Sequence, residues 1–237
     1  MLKINNLSKT YGSDYALKDL NLSISPGEIY CLLGANGAGK STTINLCMNF
    51  ISPTSGEVMV NGLNAKAVKQ FLAYIPENLH LYGSLSGAEN LQFFAGLGGN
   101  SISKSDAEIL LQQVGLQPEA FHKRIAHYSK GMRQKVGIAI AKAKNARNLL
   151  LDEPTSGLDP EASNEFALLL QEMRSNNVAI LMATHDLFRA KESGTHIGIM
   201  KAGELVHSLA SDEITLQELE KLYLDTMKST SNAIKTH

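Results

Sequence analysis

The chain has 237 residues, of which 43% are hydrophobic and 19% are charged, and its formal net charge is −1. This length is enough for one large domain or two closely packed subdomains. The near-neutral balance does not indicate a surface that binds nucleic acid or another polyanion. No apolar run of 18 residues is present, and the N-terminus lacks the apolar segment of a signal peptide. We therefore expect a cytoplasmic protein that does not itself span a membrane.

Two strands are predicted first, at residues 2–7 and 16–24, and a Ser-Pro-Gly turn follows the second strand. This pattern indicates an antiparallel start that precedes a parallel core. Tyr11 and Gly12 lie between the two strands. Local evidence alone favours a half-buried tyrosine at a strand end for Tyr11, and the alternative is a ring that lies beside a bound nucleotide base.

Residues 34–41, with the sequence GANGAGKS, fit the phosphate-binding pattern G-x-x-x-x-G-K-[ST] at every fixed position. A buried strand is predicted before them at residues 28–33, and a helix is predicted after them at residues 41–48, which is the context that such a loop requires. The small residues let backbone N–H groups surround phosphates at the positive end of the helix. The alternative is a glycine-rich turn that only caps a helix.

The loop predicts a nucleotide site with a metal ion. Lys40 can reach the β- and γ-phosphates, the Ser41 hydroxyl can be a ligand of Mg²⁺, and Thr42 can donate a hydrogen bond to the phosphates. The residues predicted to bind nucleotide here are Gly34, Ala35, Asn36, Gly37, Ala38, Gly39, Lys40, Ser41 and Thr42. The two cysteines, Cys31 and Cys47, match no metal-binding spacing and are predicted to be buried apolar residues.

After two short predicted strands at residues 56–62 and 71–76, the character of the sequence changes. Strand patterns are scarce between residue 77 and about residue 143, and helical periodicity follows several helix starts. At two of these starts a serine precedes a glutamate by three residues, which is the spacing of a capping box: Ser86 with Glu89, and Ser105 with Glu108. We therefore expect a helical subdomain inserted into an α/β core.

Residues 148–154 predict a strand that is buried on both faces, because they contain a continuous apolar run that ends in Asp152 and Glu153. Carboxylates at this end of a strand face the ligand crevice of an open α/β sheet. Neighbouring side chains leave a strand in different directions. Asp152 can therefore bind Mg²⁺ while Glu153 polarises the water that attacks the γ-phosphate. The alternative is a strand end with two solvated acids.

The last part of the chain continues the α/β pattern. It predicts a helix at residues 160–174, a buried strand at 178–182 that leads to His185, a hairpin at 196–208 and an amphipathic helix at 215–227. Asp159 and Pro160 support the first helix start, because Asp is favoured at the N-cap and Pro at the first helical position.

In this order the motifs resemble those of an ATP-binding cassette domain, the motor subunit of ABC transporters, from about residue 2 to residue 227. The family's positions are matched by Tyr11, the phosphate-binding (Walker A) loop, Glu77 in the Q-loop, the signature at residues 128–134, the Walker B carboxylates Asp152 and Glu153, the D-loop at residues 156–159 and the switch His185. The resemblance implies that Tyr11 stacks on adenine. It also implies catalytic roles for Glu153, His185 and Lys40.

The signature has a physical interpretation of its own. Ser129 and Gly131 precede a helix predicted at residues 132–143, so a hydroxyl and backbone N–H groups can form a second anion site at a helix N-terminus. The resemblance implies that two cassettes pair head to tail, so that Ser129, Gly131 and Met132 of one chain meet the nucleotide of the other. The alternative is an ordinary capped helix.

Two departures from the family pattern are present. Where the common signature is L-S-G-G-Q, this chain has Lys130 in place of a glycine and Met132 in place of the glutamine. Glu77 replaces the glutamine of the Q-loop, which keeps an oxygen able to bind Mg²⁺ but adds a negative charge and removes the amide donors. With these departures and a short C-terminus, the chain looks like the ATPase subunits of bacterial ABC-2-type exporters of drugs, antibiotics or other small amphiphiles.

The predicted fold is α/β: a P-loop NTPase core with a mixed, mainly parallel sheet, an N-terminal antiparallel β subdomain and an inserted α-helical subdomain. Residues 1–76 and 148–227 are assigned to the core, residues 77–147 to the helical subdomain and residues 228–237 to a disordered tail.

The predicted function is ATP hydrolysis with Mg²⁺ that drives a separate transmembrane permease. The partners expected are this permease and a second ATP-binding subunit, identical or different, on the inner face of the cell membrane, and no nucleic acid is expected. One alternative is a soluble cassette protein acting on ribosomes or nucleic acid, which usually carries two cassettes, a coiled-coil insertion or a basic arm. Another is a regulatory module that binds nucleotide without hydrolysing it, which leaves the full set of catalytic residues unexplained.

Overall fold

The structure of the protein is a computed structural model that describes residues 1–64 and 71–228. Within these residues, four strands form an antiparallel sheet in the order β2-β1-β4-β5. They are β1 (Leu2–Tyr11), β2 (Asp14–Ile24), β4 (Ser55–Val60) and β5 (Leu63–Asn64). The predicted antiparallel start is therefore confirmed, and both of its first strands are longer than predicted.

Six further strands form the central sheet in the order β10-β9-β3-β8-β7-β6. They are β3 (Ile29–Leu33), β6 (Leu72–Ile75), β7 (Asn148–Asp152), β8 (Ala179–Thr184), β9 (His196–Lys201) and β10 (Glu204–Ala210). All neighbouring pairs are parallel except β9 and β10, which form the predicted hairpin. Because β8 lies between β3 and β7, the carboxyl ends of these three strands meet at one edge of the sheet.

The central sheet is buried on both faces. In β3, Ile29, Cys31 and Leu33 pack into one hydrophobic core, whereas Tyr30 and Leu32 pack into a second core. This alternation follows from the period of two in a strand, and it explains why β3, β7 and β8 are almost continuously apolar. Cys31 and Cys47 are buried and free, as predicted, and burial raises the pKa of the Cys47 thiol to about 12.

Seven α-helices occur in the described residues. They are α1 (Lys40–Cys47), α2 (Gly87–Leu97), α3 (Lys104–Gln113), α4 (Lys130–Ala143), α5 (Pro160–Ser175), α6 (Leu187–Ser193) and α7 (Leu216–Lys228). None of these helices is long and apolar enough to cross a lipid bilayer. The short α6 and the two-residue β5 were not predicted. Lys228 belongs to α7 although it was assigned to the tail, and residues 229–237 lie outside the described residues.

One of the two predicted capping boxes is confirmed and the other is wrong. Ser86 caps α2, and its backbone N–H donates to Glu89 at 2.8 Å. Helix α3 begins two residues before the predicted start, because Ser103 has an extended backbone and its hydroxyl accepts the N–H of Asp106 at 3.1 Å. Ser105 therefore lies within the first turn of α3.

Candidate nucleotide-binding and hydrolysis site

The phosphate-binding loop connects the end of β3 to Lys40, the first residue of α1. Two of its glycines are required by close backbone approaches. A Cβ at Gly34 would lie 2.8 Å from the carbonyl oxygen of Met200, and a Cβ at Gly39 would lie 2.8 Å from that of Ala16. Gly39 also has a φ of +106°, which only glycine adopts without strain. The loop is therefore packed between the start of β2 and the end of β9.

A cleft of about 380 Å³ opens at this loop. Its walls include every predicted loop residue except Gly34, one alanine of β2 and three carboxylates from other segments. The lining residues are Ala16, Ala35, Asn36, Gly37, Ala38, Gly39, Lys40, Ser41, Thr42, Glu77, Asp152 and Glu153. Ala16 was not predicted, because it lies in β2 and meets the loop only through a tertiary contact, in which its carbonyl oxygen would lie 2.8 Å from a Cβ at Gly39. The cleft lies at the carboxyl edge of the central sheet, where ligands of open α/β sheets bind.

Lys40 places a buried ammonium inside the loop. Its Nζ donates to the carbonyl oxygens of Gly34 at 2.6 Å and Ala35 at 3.3 Å, and it lies 3.7 Å from Oε1 of Glu153. These partners hold the cation next to the backbone N–H groups at the start of α1, where negative charge is favoured. The arrangement can bind a phosphate chain through one charge and several N–H donors.

Asp152 ends β7 beside the loop and is half-buried. Burial is the main cause that raises the pKa of its carboxyl group, and the carboxylates of Glu153 and Glu77 raise it further. A hydrogen bond from Ser41 and the charge of Lys40 lower the pKa of the same group. Since a carboxylate in this position gains from a nearby cation, Asp152 and Ser41 form a pair of oxygen donors suited to Mg²⁺.

Glu153 links three segments of the site. Its backbone has a φ of +46°, which is uncommon for a residue other than glycine, and its N–H donates to Ala183 of β8 at 2.9 Å. Its carboxylate lies 2.9 Å from Nδ1 of His185 and also contacts Lys40. The carboxylate therefore stands between the loop and the switch histidine, where it can accept a proton from a water molecule in the cleft.

Comparison with known proteins identifies the family. The family model described as ABC transporter matches residues 17–156, which is more than half of the chain. The chain is 35% identical over 238 residues to the bacitracin transport ATP-binding protein BcrA of Bacillus licheniformis, and the match covers 98% of this chain and 76% of that protein. It is 33% identical to the lantibiotic transport ATP-binding protein SrtF of Streptococcus pyogenes, over 94% of this chain and 96% of that protein.

The chain belongs to the ABC transporter family of ATPases. The chain is 31% identical in sequence to a solved structure of the ATP-binding subunit of an ABC transporter. The superposition covers 96% of this chain and 100% of that subunit, with a TM-score of 0.84. An ATP-binding cassette solved as a dimer in a post-hydrolysis state with ADP and Pi is 27% identical over 89% of this chain and 99% of its own, with a TM-score of 0.80. The predicted fold and the predicted ATPase activity are confirmed.

The signature of this cassette lies at the start of α4, outside the walls of the cleft. Helix α4 begins at Lys130 and not at residue 132, because Ser129 is its N-cap and accepts the N–H of Met132 at 3.2 Å. Gly131 therefore lies in the first helical turn and not before the helix, and a Cβ there would lie 3.0 Å from that of Ala162 in α5. The role of Ser129, Gly131 and Met132 toward a second chain stays a prediction.

Tyr11 also lies outside the walls of the cleft formed by the described residues. It is the last residue of β1, its side chain is 55% exposed, and the ammonium of Lys9 lies 5.0 Å from the centre of its ring. The local expectation of a half-buried tyrosine is therefore wrong, because Tyr11 pairs with Asp14 beside the turn of the β1–β2 hairpin and its ring packs into neither hydrophobic core. Stacking of Tyr11 on adenine stays a prediction of the family resemblance.

The Q-loop residue Glu77 lies at the rim of the cleft and has a partner that was not predicted. The hydroxyl of Ser156 donates to Oε1 of Glu77 at 2.9 Å. Ser156 belongs to the D-loop, so its place in the family motif was visible in the sequence, but its contact with Glu77 was not. The ammonium of Lys130 lies 4.0 Å from the same oxygen.

The donors at this site fit a magnesium ion that arrives with nucleotide. They are a hydroxyl and carboxylates, which are the hard oxygen ligands that Mg²⁺ prefers. No group of three or more His, Cys, Asp or Glu side chains in the described residues is arranged to hold a metal ion alone. Mg²⁺ is usually held by one or two carboxylates together with substrate phosphates, so a site without a complete protein cage is the expected kind.

Proposed function

We propose that this cassette is the ATPase subunit of an exporter for antibiotics or other small amphiphiles. The observation that supports the cargo class is the set of relatives that are 33–35% identical over most of the chain, which are named for transport of bacitracin and a lantibiotic and for linearmycin resistance in Bacillus subtilis. In this proposal the cassette binds a separate transmembrane permease and lies on the inner face of the cell membrane.

We assign the roles within the site as follows. Lys40 and the loop bind the phosphates of ATP, and Thr42 adds a hydrogen bond to them. Glu153 orients the attacking water and takes its proton, and His185 holds the carboxylate of Glu153 from the side opposite to Lys40. Bound Mg²⁺, held by Ser41, Asp152 and Glu77, would neutralise charge on the triphosphate.

Two further parts of the molecule are assigned to nucleotide binding, one toward a second cassette and one toward the base. Ser129, Gly131 and Met132 bind the γ-phosphate of ATP held by a second cassette, and Tyr11 stacks on adenine. Residues 77–147 form a helical signature subdomain, and residues 1–76 and 148–227 form the core. This division agrees with the positions of α2, α3 and α4 in the sequence.

Deletion of the gene in its host should increase susceptibility to at least one peptide antibiotic or other amphiphilic antibiotic. Minimum inhibitory concentrations for bacitracin, a lantibiotic and linearmycin measure this, with complementation by the wild-type gene. Complementation by Glu153→Gln should fail, because export needs ATP turnover. Unchanged susceptibility to every compound tested would contradict the proposed cargo class and would leave the ATPase assignment intact.

ATP should cause the cassette to dimerise, and the dimer should be most abundant in the slowly hydrolysing variant Glu153→Gln. The reason is that a nucleotide bound between two chains adds its own contacts to the interface, and hydrolysis removes them. Light scattering with ATP, with ADP and without nucleotide measures the mass. A monomer under all three conditions would contradict a self-sufficient homodimer and would favour a different second subunit.

A further inference from the structure

The two departures from the family pattern lie next to each other in the structure. The Nζ of Lys130 is 4.0 Å from Oε1 of Glu77, and the hydroxyl of Ser156 donates to that same oxygen at 2.9 Å. The contact joins the segment after β6, the start of α4 and the segment after β7, which are separated in the chain. We call these three residues, Glu77, Lys130 and Ser156, the rim triad.

Lys130 stands where a cation is disfavoured by local structure. It is the first residue of α4, whose first turn contains no acidic residue, and the N-terminus of a helix carries partial positive charge. Its side chain passes over Gly157, where a Cβ would lie 3.8 Å from Nζ. The carboxylate of Glu77 supplies the negative charge that the first turn of α4 lacks.

Glu77 in turn places a negative charge close to the metal-binding side of the cleft. It lines the cleft together with Asp152 and Glu153, and its carboxylate is one of the charges that raise the pKa of Asp152, after burial and Glu153. A cation that lies against Glu77 reduces this negative potential. The buried cation in the cleft wall, Lys40, already contacts Glu153, and Lys130 adds a second positive charge beside Glu77.

We propose that Lys130 is a positioning residue that acts through Glu77. With the Ser156 hydroxyl it holds the Glu77 carboxylate at the rim of the cleft and offsets part of its charge, and so it sets how tightly the site holds Mg²⁺ with nucleotide. This inference rests on the proposed role of Glu77 as a metal ligand. The Lys130 and Glu77 side chains are 30% and 46% exposed, so solvent screens the pair and its effect is modest.

A double-mutant cycle on the isolated subunit tests the proposal. Binding of a fluorescent ADP is measured at increasing Mg²⁺ concentrations, and the readout is the Mg²⁺ concentration at half of the metal-dependent increase in binding. This measurement requires neither hydrolysis nor a dimer. Glu77→Gln should raise this concentration, because it removes a charged ligand. Lys130→Met should lower it by roughly two- to fivefold, because the Glu77 charge is no longer offset while the Ser156 hydroxyl still holds the Glu77 carboxylate in place. In the Glu77→Gln background, Lys130→Met should change it by less than about 1.5-fold.

Two control variants separate this role from a general effect of charge or folding. Lys130→Arg keeps the cation and should titrate like the wild type. Lys142 belongs to the same helix but lies outside the walls of the cleft, and its Nζ is 2.6 Å from Oε1 of Glu172. Lys142→Met should therefore leave the Mg²⁺ titration unchanged. Thermal unfolding of each variant verifies that it is folded.

An equal effect of Lys130→Met in both backgrounds would overturn the proposal, because Lys130 would then act on the nucleotide directly and not through Glu77. An unchanged titration in Glu77→Gln would remove both the metal role of Glu77 and this inference. Neither result would contradict the proposed export function. The export function is tested by antibiotic susceptibility, whereas the role of Lys130 is tested by nucleotide binding to the isolated chain.

Discussion

Replacement of Glu153 by Gln should lower the rate of ATP hydrolysis by a factor on the order of 10² to 10⁴ while ATP affinity changes little. Gln keeps the size of the side chain and an oxygen that can accept the N–H of His185, a bond that the carboxylate accepts at 3.3 Å. It cannot take a proton from water, and it loses the charge beside Lys40. Binding is preserved because the phosphate-binding loop itself is unchanged.

Steady-state hydrolysis and equilibrium binding of ATP measure the two quantities separately. A suitable control is Glu165→Gln. Glu165 lies outside the walls of the cleft, and its carboxylate oxygen Oε2 is 3.0 Å from Nζ of Lys135. This control should hydrolyse ATP within about twofold of the wild-type rate, as expected for a surface substitution. Wild-type turnover in Glu153→Gln would show that another group takes the proton.

Replacement of Lys40 by Ala should weaken ATP binding by on the order of 10- to 100-fold, which is the range for the loss of a hydrogen bond to a charged group. The ammonium is buried within the loop, where water replaces it poorly. Without it the carbonyls of Gly34 and Ala35 lose their donor, and Glu153 loses its nearby cation. Hydrolysis should fall as well, because the same charge stabilises the transferred phosphoryl group.

The loop could also lose order in Lys40→Ala, so the experiment needs a variant that separates binding from stability. Lys135 is a similar case outside the cleft, because it is 9% exposed and donates to the carbonyl oxygen of Gly115 at 3.0 Å. Lys135→Ala should lower the melting temperature but leave ATP affinity unchanged. Equal ATP affinity in Lys40→Ala and the wild type would contradict the role assigned to Lys40.

The features that the sequence by itself determined are those whose physics is local. The strand, loop and helix around Lys40 were predicted to within one residue, because an eight-residue pattern specifies the backbone that can surround phosphate. The strand that ends in Asp152 was predicted because a continuous apolar run is typical of a strand buried on both faces. The fold class followed from the order of such elements and from the family resemblance.

The features that only the tertiary structure decided depend on contacts between distant segments. The meeting of Lys40 with Glu153 requires the sheet order that places β8 between β3 and β7. The meeting of Glu77 with Ser156 and Lys130 requires the pairing of β6 with β7 and the packing of α4 beside these strands. No local pattern contains that order, because it results from packing both faces of the sheet at once.

The start of α3 shows the same limit at the scale of a single turn. Ser103 and Ser105 both precede an acidic residue by three positions, so the capping-box spacing allows either serine as the N-cap. The structure begins the helix after Ser103, with Ala107 and Leu111 of α3 buried against the rest of the helical region. An N-cap requires an extended backbone, and only the folded chain shows that Ser103 has it, with its hydroxyl accepting the N–H of Asp106 at 3.1 Å.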